Sequence, residues 1–408
     1  MRRYHLPILG AAAIAPALAY AAPAYTIVDL GDLGGGLSVG NDISANGQVT
    51  GYSHIAQDAP PHAFLWDPAT GIHDLGTLGE KYSSGTGINS RGQVTGESTA
   101  ADGNNRAFLW DPVNGMQDLG TLGGSGSSGA DINDAGQVTG QSQNADGLSV
   151  TFLWDPETGM QDLGTLGGGY SSGSAINPDG LITGSSETAE GVLPRAFLWS
   201  PANGMQDLGT LAPFPSASAG YGINALGQVT GETETIEVPH RAFVWDRASG
   251  MKELGTLGGR GSAGFDINAS GQVTGTSEPA DGTTRAFLWD PAFGMLDLND
   301  LVPPDLGWDV LEEARAINDA GQITGYGFIN GQARAFLLMP SVRTDIPEPG
   351  TPAPMMAALL VFWLLGGRCR FRAGWTGPSC CLGSQGMPTV DDGPRHRSDH
   401  RDRTGGCR

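Results

Sequence analysis

A four-residue segment recurs along the chain and constrains the fold more than any other feature. Ala-Phe-Leu-Trp, with conservative changes, starts at Ala63, Ala107, Thr151, Ala196, Ala242, Ala286 and Ala335, at spacings of 44, 44, 45, 46, 44 and 49 residues. A near-constant period of this kind signals a repeat architecture, and about 40 to 45 residues corresponds to one four-stranded propeller blade. The second unit shows the anatomy. A small-residue strand over Ser84–Asn89 is followed by a turn and a strand over Gly92–Gly96, then by Arg106–Trp110 and Met116–Leu119 across an Asp-Pro-x-x-Gly connection. Pro early and Gly late in that connection supply the φ values a tight turn needs, and no segment sustains a helical period.

The third strand is the packing unit. Alternation along a strand sends Phe108 and Trp110 to one face and Ala107 and Leu109 to the other, so both faces are apolar, as a blade between two neighbours requires. The same core positions are Phe64 and Trp66, Phe152 and Trp154, Phe197 and Trp199, Phe243 and Trp245, Phe287 and Trp289, and finally Phe336, where the tryptophan is missing. Burying each large side chain is worth roughly 1.5–3 kcal/mol. The ends of the array are complementary: a lone fourth strand, Thr26–Gly31, opens it, and first, second and third strands only, Arg315–Leu338, close it. The chain is therefore expected to be all-β, a seven-bladed β-propeller of four-stranded blades, closed by the N-terminal strand completing the last blade. Closure removes the open sheet edges that a linear array would expose.

These units resemble the HAF repeat family of bacterial extracellular proteins, named for a His/Arg-Ala-Phe core. That core reads His62-Ala63-Phe64, Arg106-Ala107-Phe108, Arg195-Ala196-Phe197, Arg241-Ala242-Phe243, Arg285-Ala286-Phe287 and Arg334-Ala335-Phe336, and the third unit departs from it with Val150-Thr151-Phe152. The resemblance covers nearly all of residues 25 to 340 and implies an extracellular protein, but no general activity.

Both ends read as addresses. Met1-Arg2-Arg3, an apolar run from Leu6 to Leu18 and Ala19-Tyr20-Ala21 have the order of a secretory signal peptide over residues 1–21. The propeller is expected over 24–341 and a Pro-rich linker over 342–354. Residues 355–372 hold the apolar stretch Met355–Leu365 and a basic cluster with Arg368, Arg370 and Arg372. With Pro347-Glu348-Pro349 before it, this order resembles the PEP-CTERM sorting signal of Gram-negative bacteria. That resemblance implies transient membrane association, an exosortase-like enzyme as a processing partner beside the signal peptidase that the small-x-small site Ala19-Tyr20-Ala21 calls for, and a place at the envelope surface or in the extracellular matrix. Family members end just after the basic cluster, whereas residues 373–408 continue here as a tail that reads as disordered or as an artefact of the reading frame.

The formal charge is −21, and residues 24 to 345 hold 12 Lys/Arg against 38 Asp/Glu. Such a body repels nucleic-acid phosphates and anionic lipid. Calcium fits the charge, but the full D-x-[DN]-x-[DN]-G loop is absent, so no cofactor is expected. All four cysteines lie beyond the repeats, which excludes a thiolate nucleophile or Cys-ligated metal within them. Gly124–Gly129 and Gly259–Gly264 match G-x-G-x-x-G, yet a dinucleotide site needs a helix to begin there and a strand follows instead, so both read as loops between blades. Gly169–Gly173 matches G-x-S-x-G without a strand-to-helix elbow. His54, His62, His73 and His240 lack zinc-ligand spacing. The Ile-Asn pairs ending at Asn89, Asn133, Asn177, Asn224, Asn268 and Asn318 read as Asx turns, and their repetition argues for a structural task.

The loops that vary between units, including Gln57–Pro61, Glu187–Pro194, Thr233–Pro239, Pro213–Pro215 and Pro303–Val310, all map to one propeller face. That face carries Tyr82, Tyr170, Phe214, Tyr221 and Trp308, with Asp309, Glu234 and Glu237 nearby. Aromatic rings beside carboxylates suit a sugar, which stacks on one and bonds to the other; the same rings also serve to fill gaps between blades. The expected function is an exported, non-catalytic binding module for an exopolysaccharide or an envelope protein. The alternatives are a propeller hydrolase or lyase, which needs a carboxylate pair in a cleft, and a self-associating matrix protein.

Overall fold

The computed structural model describes residues 23–341, apart from 80, 213–215 and 236–239. The expected signal peptide, linker, sorting motif and tail, together with Phe214 and Glu237, lie outside the described residues. Seven four-stranded antiparallel sheets stand in a ring, and the only helical element among the described residues is a single 3-10 turn at Leu298–Asp300. Blades 1 to 7 have their inner strands at Ser38–Ile43, Ser83–Ile88, Gly123–Ile132, Gly167–Ile176, Ser216–Ile223, Gly258–Ile267 and Val310–Ile317. In blade 2 the following strands are Val94–Thr99, Asn105–Asp111 and Gly115–Asp118, so the second strand runs three residues beyond its expected end at Gly96. The outer strand of blade 7 is Ala24–Asp29, paired antiparallel with Gln332–Ser341 from Ala24 opposite Ser341 to Asp29 opposite Phe336. The ring is closed as expected.

The repeated residues have repeated tasks. Phe64, Phe108, Phe152, Phe197, Phe243, Phe287 and Phe336 are all fully buried. Ala63 and Leu65 of blade 1 pack with Phe108 and Trp110 of blade 2 in one cluster, so both faces of the third strand are used. Apart from Arg195, which bonds to the Thr210 hydroxyl, the basic residue of each His/Arg-Ala-Phe core clips its strand to an acid on the outer strand, as in Arg106–Asp118 at 3.9 Å, Arg241–Glu253 at 3.0 Å and Arg334–Asp29 at 3.2 Å. At the glycine of Val-Thr-Gly the inner strand comes too close for any side chain: a Cβ on Gly140 would lie 2.1 Å from the Ser128 carbonyl oxygen.

Two belts of hydrogen bonds join the blades. Each buried asparagine of the Ile-Asn pairs closes an Asx turn, Asn89 Oδ1 accepting from the Arg91 and Gln93 amides. Its Nδ2 also donates to the main-chain carbonyl of the next blade, in the sequence Asn89 to Asn133, Asn177, Asn224, Asn268, Asn318 and finally Ser44, at 3.0 to 3.3 Å. Blade 1 has Ser44 in place of the asparagine, and Asn46 spans that junction instead by donating to the Ser90 carbonyl. Nearer the opposite face, inner-strand serines accept the third-strand amide of the preceding blade, as from Ala107 to Ser127 and from Ala335 to Ser38. Between blades 6 and 7 Leu311 replaces that serine, and Asn299 takes over by bonding both main-chain groups of Leu311.

The departure at Thr151 has a visible consequence, because its Oγ1 is buried without a hydrogen-bond partner. Leaving a hydroxyl in that state costs about 1–3 kcal/mol. Thr151→Val keeps the shape and removes the hydroxyl, so it should raise stability by about 1 kcal/mol in denaturant unfolding. Gly140→Ala should lower stability by about 3 kcal/mol through overpacking. Equal effects of the two substitutions would contradict this account of the blade.

Candidate functional site

Every inner strand carries a one-residue bulge at the same place, where the ladder passes from Gly40 to Asp42, Gly85 to Gly87, Gly129 to Asp131, Gly173 to Ala175, Gly220 to Gly222, Gly264 to Asp266 and Ala314 to Ala316. The extra residue in a bulge is left out of the pairing and its side chain is re-aimed. Here the extra residues are Asn41, Thr86, Ala130, Ser174, Tyr221, Phe265 and Arg315, and all but Ala130 line an axial cavity of about 570 Å³. No two of these seven residues are alike, although the chain around them repeats. Arg315 is held by Glu313 at 2.9 Å and by Asn41 at 2.7 Å, and it lies over the Tyr326 ring. Tyr221 and Phe265 stand side by side with ring centroids 6.1 Å apart.

From these two rings a cleft of about 290 Å³ opens outward between blades 5 and 6. The Tyr221 hydroxyl donates to Glu232 Oε1 at 2.7 Å, and His240 Nδ1 lies 3.0 Å from Glu232 Oε2. Burial, and then the Glu232 charge, push the Tyr221 phenol up, so it remains a donor. Glu278, Thr276 and Thr284 complete the walls with Gly261 and Ser262 at the rim. The arrangement offers aromatic faces, a fixed carboxylate acceptor and several hydroxyls within one concavity.

A second acidic feature belongs to the channel wall. Asp42 accepts from the amides of Ile43 and, across the blade junction, Ile88; Asp131 does the same with Ile132 and Ile176, and Asp266 with Ile267 and Ile317. Each residue is half-buried, yet enclosure by the inner strands desolvates all three carboxyls and raises their pKa. Asp266 is pushed up to about 6 and Asp42 is held well above the usual range, with Asp131 and Asp266 adding repulsion to Asp42. Among the described residues no three His, Cys, Asp or Glu side chains are arranged to hold a metal ion.

The residues singled out from the sequence do not form one cluster. Tyr221 lines both the channel and the cleft. Tyr82 donates to Glu97 at 3.1 Å, with its phenol pushed up to about 12 by burial and that carboxylate, and Tyr170 reaches Gln141 of the neighbouring blade at 3.4 Å. Trp308 packs edge-on against Phe336 at 5.9 Å beside the blade 7 core, which is the gap-filling role. Asp309 accepts the Gly331 amide, and Glu234 is exposed at the end of its strand pair. The two G-x-G-x-x-G segments are inner strands rather than loops. Sequence reasoning missed Asn41, Phe265, Arg315, Glu232, His240 and Glu278. For the first three a signal exists: the residue two before the repeated isoleucine varies in every unit.

No protein-family model and no curated protein sequence matches the chain. Solved structures with a similar fold include a puromycin hydrolase at 13% identity and TM-score 0.43, covering 64% of this chain and 45% of its own. A gluconolactonase from Xanthomonas campestris matches at 11% identity and TM-score 0.41, covering 79% of this chain and 93% of its own. A lectin from Burkholderia pseudomallei matches at 9% identity and TM-score 0.46, covering 75% and 96%. The chain thus spans less than half the length of the hydrolase, and at these identities the likeness concerns the fold alone.

The three channel aspartates give the pH dependence a sign. In the unfolded chain they titrate near 3.9, so the folded state binds protons that the unfolded state releases between about pH 4 and 6. Stability should therefore rise as pH falls from 7 to 5. Below about 4 it should fall again, as turn-capping carboxyls such as Asp67 and Asp155, held low chiefly by main-chain amides, are protonated. Thermal melts across this range check the course, and Asp266→Asn should make the rise between pH 7 and 5 shallower. A melting temperature that falls steadily from pH 7 to 5 would contradict the assignment.

Proposed function

We propose that this protein is an exported, non-catalytic propeller that binds a carbohydrate in the cleft between blades 5 and 6. The observation that carries the reading is the adjacency of Tyr221 and Phe265 to Glu232, His240 and Glu278 in one open concavity. A pyranose presents an apolar C–H face and a rim of hydroxyls. The first packs on aromatic rings, and the second exchanges hydrogen bonds with carboxylate, imidazole and hydroxyl groups. Glu232 is already held between Tyr221 and His240, an arrangement suited to a fixed acceptor rather than to a group that gives up or takes a proton during turnover. The acidic body argues against polyanionic nucleic acid. Export and an envelope or matrix location rest on the basic-apolar order of residues 1–21 and the Pro-Glu-Pro, apolar, basic order of residues 347–372.

The purified protein should bind saturably to a subset of polysaccharides on a glycan array without shortening them. Phe265→Ala and Glu232→Gln should each weaken binding at least tenfold, which is about 1.4 kcal/mol, without lowering the melting temperature appreciably. Silence across the array, or release of reducing ends from a bound glycan, would overturn the reading.

A further inference from the structure

We infer that the propeller is bivalent, with a second carbohydrate site in the cleft between blades 2 and 3. This inference rests on the binding reading above and adds a site to it. The second cleft has a volume of about 260 Å³. Its walls come from the same blade positions as those of the first: Glu97 stands where Glu232 does, Asn105 where His240 does, and Gln143 where Glu278 does, as strand pairing from each Val-Thr-Gly segment shows.

One position decides which junctions are open. The residue just before the inner-strand serine, or Leu311 in blade 7, is Leu37, Tyr82, Gly126, Tyr170, Ala217, Gly261 and Val310 in blades 1 to 7. Glycine occurs there only in blades 3 and 6, the far walls of the two clefts. At the junction of blades 3 and 4 Tyr170 extends its hydroxyl to Gln141 and occupies the equivalent space. Both glycines have ordinary backbone angles, and a Cβ at either meets nothing closer than 3.4 Å. Neither is therefore a glycine for backbone reasons; what its absence of a side chain provides is space. The rims are braced alike as well. Arg106 donates to the Ser125 carbonyl at 2.7 Å and Arg241 to that of Arg260, and among the described residues no other arginine of the His/Arg-Ala-Phe cores bonds to the next inner strand.

The chemistry of the two clefts differs in a useful way. The cleft between blades 2 and 3 has no aromatic ring and is walled by hydroxyl and amide groups with a single carboxylate, Glu97. It suits a neutral, hydroxyl-rich sugar held by hydrogen bonds alone, and it should be the weaker site. The two clefts lie three blades apart in a ring of seven, on nearly opposite sides of the axis. Two such sites join separate chains, or separate stretches of one chain, and binding to a polymer then gains through effective concentration.

The test is titration calorimetry of the purified full chain with tetrasaccharides from dextran, cellulose, alginate and hyaluronan. Two sites per chain are expected for at least one probe, the weaker at least tenfold below the stronger. Gly126→Tyr should remove the weaker site and Gly261→Tyr the stronger; tyrosine already stands at this position in blades 2 and 4, so the fold should accept it. Asn105→Ala, which adds no bulk, should weaken only the cleft of blades 2 and 3. One site per chain, lost in Gly261→Tyr and unaffected by Gly126→Tyr and Asn105→Ala, overturns bivalence and leaves the binding reading intact. No heat from any probe overturns both.

Discussion

The strand Ala24–Asp29 is hydrogen-bonded along its length to Gln332–Ser341, and the closed ring depends on this pairing. It reproduces the junction of third and fourth strands found within the other blades. The Leu30 amide bonds to the Ala335 carbonyl as the Leu119 amide bonds to that of Ala107, and Arg334 grips Asp29 as Arg106 grips Asp118. Without it, blade 7 would present an open edge and the two ends of the array would have no common sheet. With it, the Asn318 to Ser44 and Ala335 to Ser38 bonds join the last blade to the first, and each belt becomes a loop around the axis rather than a chain with free ends.

Closure also separates two kinds of position. Residues that make the blade or bind it to the next are nearly the same in every unit, because seven identical mechanical problems have one solution: Phe in the core, Val-Thr-Gly in the second strand, Asn in the turn. Residues released from that task differ from unit to unit. The bulge residues and the wall positions near the variable face are of this second kind, and they gather where the chain has open volume. The unpartnered hydroxyl at Thr151 shows the cost of variation at a position that is not free.

Much of this was legible in the sequence. The period and the apolar alternation of the third strand gave blade number and strand content, and the mismatch between the chain's two ends gave closure. The repeated asparagines were recognisable as turn formers, but their donation to the neighbouring blade was not, since a local turn motif carries no information about a partner a whole repeat away. The site was harder to read for a physical reason. Aromatic residues stand out in the sequence, yet Tyr82 and Trp308 hydrogen-bond or pack within their own blades and Tyr170 fills the junction with its neighbour, whereas open space is left by Gly126 and Gly261. Those two glycines sit at the centre of the G-x-G-x-x-G segments set aside as loops. A cleft made by a missing side chain becomes visible only when the units are aligned and the larger residues at the same position are seen.

Native-state hydrogen exchange tests most directly the claim that the blades form one closed, mutually bonded ring. The amides of Ala63, Ala107, Ala196, Ala242 and Ala335, and of Ile88, Ile176 and Ile317, all lie in bonds between blades. A closed ring predicts that they exchange with a single free energy equal to that of global unfolding, regardless of their place in the chain. A graded series, most protected in the middle blades and progressively less toward the first and last, is the behaviour of an open array and would contradict the account.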